Sequence, residues 1–381
     1  MISPGTQSTR TTPPFRYDIV GSFLRPEGLK IARTRYAEGE ITAAELREIE
    51  DIEIAKLLVQ QKELGLKAVT DGEFRRSWWH LDFFFGIQGT QKITLGQPGT
   101  AKDQVNRAES FKISGKIAFG EHPMVKDFTR LQELAGGMLT KMTIPSPALF
   151  HFVQDYNGNE VYTDTKALYE DIIAVYRTAI QAFYDAGCRY LQLDDTTWGT
   201  LCSGRHRAHL RSRGTDPDQL AKDYVRLINE SIAERPADMT IALHVCRGNL
   251  RSTWFAAGGY GPVAEELFAN ARVDAFFLEY DNERSGDFEP LRFIRDQFVV
   301  LGLVTTKHGG LENKEQLKVR IAEAAQYVDL NQLCLSTQCG FASSEEGNIL
   351  TEEEQWDKLR LVIETADEVW VSSSGENDLS N

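Results

Sequence analysis

Short apolar runs that end in a polar residue recur along the whole chain and alternate with helical patterns, and this alternation restricts the fold more than any other feature. Eight runs can be read, at residues 17–22, 68–73, 141–147, 190–195, 239–246, 275–279, 298–304 and 332–336. They are rich in β-formers and too short for buried helices, so each reads as a strand. Between them apolar residues recur at intervals of three and four. Residues 42–64, opened by the capping box Thr42-Ala-Ala-Glu45 and stopped by Gly65, form the clearest helix, with others predicted over 162–187, 217–234, 314–327 and 352–367. Strands separated by helices bury a parallel sheet, and eight of them in this order predict an α/β fold of the (β/α)8 TIM-barrel type over residues 15–381.

A doubly wound open sheet is the structural rival, and the polar residues decide against it. Ser22, Glu73, Asp194, His244, Cys246, Glu279, His308 and Cys339 all fall at or just past the C-terminal ends of successive strands. A barrel gathers those ends around one point, whereas an open sheet leaves its edge strands too far apart to converge. One stretch breaks the alternation. From Gly86 to Gly120 the pattern turns irregular, with alternating segments such as Phe111-Lys-Ile-Ser-Gly-Lys-Ile117, which predicts an inserted β-hairpin after the second strand.

Composition narrows the setting. With 381 residues and 41% hydrophobic content the chain can bury a large core. The formal net charge of −14 argues against a general nucleic-acid or anionic-membrane surface, both of which need clustered positive charge. Residues 1–14 are polar and rich in Ser, Thr and Pro, read as a disordered lead-in with no signal-peptide pattern. No apolar stretch is long enough to span a bilayer. Five cysteines, an odd and sparse number, suit a reducing compartment, so the expected location is cytoplasmic; a homo-oligomer remains open.

Residues two apart on a strand face the same way, so His244 and Cys246, closing the fifth run, point together. An imidazole and a thiol aimed at one point suit a soft tetrahedral ion such as zinc, provided that two more donors arrive; alone, such a pair is more often packing than ligation. Cys339, after the eighth strand, and Glu279, ending the sixth, complete a His/Cys/Glu/Cys set. Glu279 has a second reading, a surface salt bridge to Arg284. Cys188 and Cys334 sit inside apolar runs and read as small core residues.

Six motifs in order, Ile19-Val-Gly-Ser-Phe23, Thr70-Asp-Gly-Glu-Phe74, Leu191-Gln-Leu-Asp194, His244-Val-Cys246, Phe277-Leu-Glu279 and Gln338-Cys-Gly340, give the chain its resemblance to the C-terminal catalytic barrel of cobalamin-independent methionine synthase and its single-barrel relatives. The resemblance covers nearly everything from Phe15 onward. It implies zinc held by His244, Cys246, Glu279 and Cys339, and homocysteine gripped by Ser22 at its carboxylate and by Glu73 and Asp194 at its ammonium. It also implies a proton donor at His308, in Thr305-Thr-Lys-His308, because an amine leaving a reduced folate must be protonated. The implied activity is transfer of a methyl group from a donor of the 5-methyltetrahydrofolate type to the homocysteine thiol, forming methionine.

The resemblance thins at the donor. The family places a tryptophan after strand three, where this chain reads Ser146-Pro-Ala-Leu-Phe-His-Phe152; Phe150 or the Trp78-Trp79 pair offers a flat surface in its place. The same barrel and zinc plan also resembles alkyltransferases that load other thiols, such as coenzyme M with an epoxide, and Arg247-Gly-Asn249 beside the zinc strand suits a sulfonate or carboxylate. A zinc hydrolase and a purely structural zinc remain as further alternatives.

Overall fold

The computed structural model describes residues 10–94, 109–157 and 160–370. Most of the expected lead-in therefore lies outside the described residues; within it, the Arg10 guanidinium stacks 3.5 Å over the Phe298 ring. Among the described residues the strands, in chain order, are β1 (Ala68–Val69), β2 (Gln88–Thr94), β3 (Glu109–Ala118), β4 (Leu139–Pro145), β5 (Tyr190–Asp195), β6 (Thr240–Val245), β7 (Ala275–Glu279), β8 (Phe298–Val304) and β9 (Leu333–Thr337). Seven of them form one sheet in the order β1-β4-β5-β6-β7-β8-β9. All its pairings are parallel. The sheet curls, with helices packed outside it, into the TIM-barrel type of fold that the alternation predicts.

The strands pack on both faces, as parallel strands must. Outward residues such as Leu191, Leu193, Ile241 and Leu243 join the main core under the helices, while Tyr190, Ala242, Ala275, Phe277, Val300 and Cys334 form a separate cluster inside the curl. Carried two and four residues onward, the inward rows deliver Asp194, His244, Cys246 and Glu279 to the C-terminal rim. Cys188 and Cys334 are fully buried core residues.

Two expected strands are reduced, for a visible reason. Residues 17–22 make only one bridge, Tyr17 to Leu335. Beyond that bridge side chains take three of its carbonyls and one backbone bond takes the fourth: Lys141 Nζ donates to Ile19 O at 2.5 Å, Gln192 Nε2 to Val20 O at 2.9 Å, Thr70 Oγ1 to Gly21 O at 2.6 Å and Phe341 N to Ser22 O at 3.0 Å. Gly21, at φ 146°, is in a conformation that L side chains rarely adopt, and a Cβ there would lie 2.9 Å from Thr143 Cγ2. The expected second strand, 68–73, stops at Val69 because the Gln61 side chain takes both backbone groups of Thr70, at 2.8 and 3.0 Å. So 17–22 fills the space between β9 and β1 without a ladder.

The inserted hairpin is present as β2 paired antiparallel with β3, its register shifting between Gln88 and Thr90. Residues 95–108, between the two strands, lie outside the described residues. A helix not foreseen in the sequence, Pro147–Asn157, follows β4. It seats Phe150 against Phe84 and Phe111, with ring centroids 5.2 and 5.0 Å away, and Gln154 ties it to β3 through Ile113 N and Phe111 O.

Candidate metal centre and substrate cavity

His244, Cys246, Glu279 and Cys339 arrive from β6, β7 and the loop after β9, and their ligand atoms all lie within 4.8 Å of one another, all four residues being buried. His244 Nδ1 faces Phe277 O at 3.3 Å, while Nε2 is buried and has no hydrogen-bond partner among the described residues. A backbone carbonyl in that place fixes the tautomer of a histidine that binds metal through its other nitrogen. The Cys246 and Cys339 sulfurs are 3.7 Å apart, and their shared hydrogen bond, followed by burial, raises the Cys246 thiol well above its ordinary value. A divalent cation reverses that preference, because it favours the thiolate. An orphaned imidazole nitrogen beside two thiols and a carboxylate fits a tetrahedral soft ion.

Glu279 stands in the cluster and also makes its salt bridge to Arg284, which is buried instead of superficial. One carboxylate oxygen accepts from Arg247 N at 3.0 Å and the other from Arg284 Nη2 at 2.7 Å. Burial opposes ionisation, yet Arg284, Lys307 and Arg247 outweigh it and hold the Glu279 pKa below its ordinary value. The carboxylate is thus charged and tethered from behind. Arg247 is fully buried, its guanidinium donating to Tyr260 Oη at 2.7 Å and Gly258 O at 2.9 Å. It is engaged there and does not line the cavity, whereas Gly248 and Asn249 of the same motif do.

A cavity of about 290 Å3 opens over the cluster and is lined by His244, Cys246 and Cys339 together with Ser22, Glu73 and Asp194. The three residues expected to bind an amino acid therefore share one space with the thiols. Ser22 Oγ accepts from Ala342 N at 3.3 Å. Glu73 Oε1 accepts from Thr143 Oγ1 at 3.0 Å and lies 3.6 Å from Arg76 Nη1, while Oε2 is buried without a hydrogen-bond partner among the described residues. Asp194 accepts from Gln192 Nε2 at 2.6 Å, and burial, outweighing the pull of His244, pushes its pKa up to about 7. A larger depression of about 620 Å3 lies at the opposite ends of the strands, beside Thr240 and Phe298, and contains neither thiol nor imidazole.

His308 is not brought to this cavity. Thr306 hydroxyl donates to Gln338 Oε1 and Gly340 O, and Lys307 Nζ to Gly248 O, Asn249 Oδ1 and Thr253 O, so these two neighbours occupy the inward positions of the loop. The His308 side chain is left exposed. Phe150 also stays in the core, whereas Trp78 and Trp79 do line the cavity, with His80, Phe152, Leu250 and Phe255. Those last four escape the sequence reading. Leu149, Phe152 and Val153, at the i, i+3, i+4 spacing of one helical face, carry the missed signal.

Comparisons with known proteins identify the family. The family described as "Cobalamin-independent synthase, Catalytic domain" matches residues 17–368. Two uncharacterized proteins of Bacillus subtilis, YxjH and YxjG, are each 50% identical, over 359 and 363 residues, covering 94% and 95% of this chain and 95% and 96% of their own. A Listeria monocytogenes structure, assigned provisionally as a vitamin-B12 independent methionine synthase, is 45% identical with a TM-score of 0.78 and covers 95% of this chain and 99% of its own. A B12-independent methionine synthase structure from Shewanella sp. W3-18-1 shares the fold at 17% identity, with a TM-score of 0.69 over 93% of this chain and 97% of its own. The match spans the elements that carry the His/Cys/Glu/Cys cluster, and the chain belongs to the family of cobalamin-independent synthase catalytic domains.

Proposed function

We propose that this methyltransferase-family chain is a zinc-dependent S-methyltransferase that converts homocysteine to methionine. The observation that carries the reading is the opening of the His244/Cys246/Glu279/Cys339 cluster onto the same cavity as Ser22, Glu73 and Asp194. When bound, zinc lowers the pKa of a substrate thiol so that it stays a nucleophilic thiolate at neutral pH. Two cysteines and a carboxylate give the site a negative ligand set, which keeps that sulfur electron-rich and suits alkyl transfer better than water activation.

The chain's own residues do the positioning. Ser22 offers a hydroxyl to the amino acid carboxylate, and Glu73 Oε2, without a hydrogen-bond partner among the described residues, accepts from the ammonium. Asp194 joins Glu73 once ionised. Holding the amino acid at three points fixes its thiol over the cluster, converting a bimolecular encounter into an oriented one. His308 would serve as proton donor only if its loop turned inward.

Cobalt substitution tests the reading directly. Addition of homocysteine is expected to change the visible absorption of the cobalt form, whereas homoserine, which lacks the sulfur, leaves it unchanged. A spectrum indifferent to homocysteine would sink the proposal and favour a hydrolytic or purely structural ion.

A further inference from the structure

The wall of the cavity opposite in character to its acidic and sulfur-bearing floor is aromatic. Trp78, Trp79, His80, Phe152, Leu250 and Phe255 line it, and among the described lining residues there is no lysine or arginine. The rings are fixed in place. Trp79 and His80 lie 4.6 Å apart by ring centroid, and His80 meets Trp78 and Phe84 edge-on at 6.1 Å each. Trp79 N donates to Ser343 O at 3.1 Å and Trp78 bridges Ser344, which binds the wall to the loop after Cys339. Burial alone pushes the His80 pKa down to about 3, so the wall carries no positive charge at neutral pH. Two polar atoms in it, Trp78 Nε1 and His80 Nδ1, are buried with no hydrogen-bond partner among the described residues.

We propose that this wall is the methyl-donor subsite and that its ligand is a small onium compound, a methyl group carried on a sulfonium or quaternary ammonium centre. Four features point the same way. Aromatic faces without a competing cation attract an onium centre through their quadrupoles, and Trp is the strongest of them. A donor with a chain of carboxylates finds no cation along the cavity and meets Glu73 and Asp194 instead. The volume, about 290 Å3, sits at the low end of small-molecule pockets, roughly 300–1,000 Å3, and must also admit the amino acid. The unpaired Trp78 Nε1 and His80 Nδ1 supply hydrogen bonds to a polar end of such a donor.

The chemistry closes without a proton donor. The homocysteine sulfur attacks the methyl carbon, a sulfur–carbon bond forms, and the bond from carbon to the cationic heteroatom breaks with its electron pair staying on that atom. Anion and cation become two neutral products, a thioether and a neutral thioether or tertiary amine. A dry apolar wall favours such charge annihilation, because it solvates the separated charges poorly. An amine leaving a folate would need protonation, and the expected donor His308 is exposed outside the cavity.

The inference rests on the homocysteine reading, and the experiment separates the two. The zinc-loaded full chain is given homocysteine with, in separate arms, S-methylmethionine, glycine betaine, and 5-methyltetrahydrofolate as mono- and triglutamate. Methionine is expected from one onium arm, which also identifies its heteroatom. Trp78→Leu and Phe152→Leu are each expected to raise the donor KM by about tenfold, while the homocysteine affinity read from the cobalt spectrum stays unchanged. Transfer from folate and from neither onium compound overturns the proposal, as does an unaltered donor KM in both variants. If the cobalt spectrum ignores homocysteine, the acceptor reading fails, and calorimetry with both onium compounds still decides the subsite: binding weakened by Trp78→Leu supports it, and no binding overturns it.

Discussion

Glu279 holds its charge in a fully buried place because three cations outweigh the cost of burial, and within the cluster it also serves as an anchor for Arg247 and Arg284. Glu279→Gln keeps the shape and removes the charge. It is expected to weaken metal retention by at least about 100-fold, the upper end of what loss of a mere supporting group costs, measured by competition with a chelator at constant fold content. At His80 the sign of the pH dependence is fixed by direction. Its folded pKa, about 3, lies below the ordinary 6.5, so between those values the unfolded chain binds a proton that the folded one does not. Stability therefore falls as pH drops below 6.5, by at most about 2 kcal/mol at pH 5. Denaturant unfolding of His80→Gln against the parent at pH 5 and 7.5 is expected to show that loss in the parent and not in the variant.

At the scale of elements, the strands were legible because each carries its own signature. The runs around β5 to β9 are apolar, short and flanked by turn residues, and the alternation inside them already names Asp194, His244, Cys246 and Glu279 as inward residues. What escaped was set by contacts distant in sequence. Nothing local to 17–22 shows that Lys141, Gln192 and Thr70 will take its carbonyls, and nothing around Val69 shows that Gln61 will cap the strand. Helix Pro147–Asn157 follows a strand ending in Pro145 and begins with Pro147, a punctuation that hid it, and with it went Phe152. Tight loop packing yields a further prediction. A Cβ at Gly340 would lie 2.0 Å from Ser22 Oγ, so Gly340→Ala is expected to raise the homocysteine KM by about tenfold or more through displaced Ser22, with metal content, read by elemental analysis, unchanged.

For the whole molecule, the charged interior of the curl matters as much as its apolar layer. Lys141 is buried, lies 3.5 Å from Asp18 and 4.0 Å over the Phe277 ring, and ties 17–22 to β4 through Ile19 O. Lys141→Met fills the same space but leaves Asp18, hydrogen-bonded to Tyr190 Oη, as a buried charge without its cation. The expected cost is about 3–5 kcal/mol, read as a lower denaturation midpoint than that of the parent.

The segment that closes the curl without a ladder has a consequence for how the molecule opens. A hoop joined along one line by side chains and a few isolated backbone bonds is a band with a clasp, and strain or heat should part it there before any interior strand lets go. Ser22 belongs to the clasp, Glu73 follows its one side and Cys339 its other. An amino acid held between them would lie across the join and fasten it. Amide exchange at Asp18 and Phe23, which donate to Leu335 O and Gly72 O, is therefore expected to be faster than within β5 and to slow when homocysteine is added to the zinc form. Loading the site and latching the hoop would then be one event.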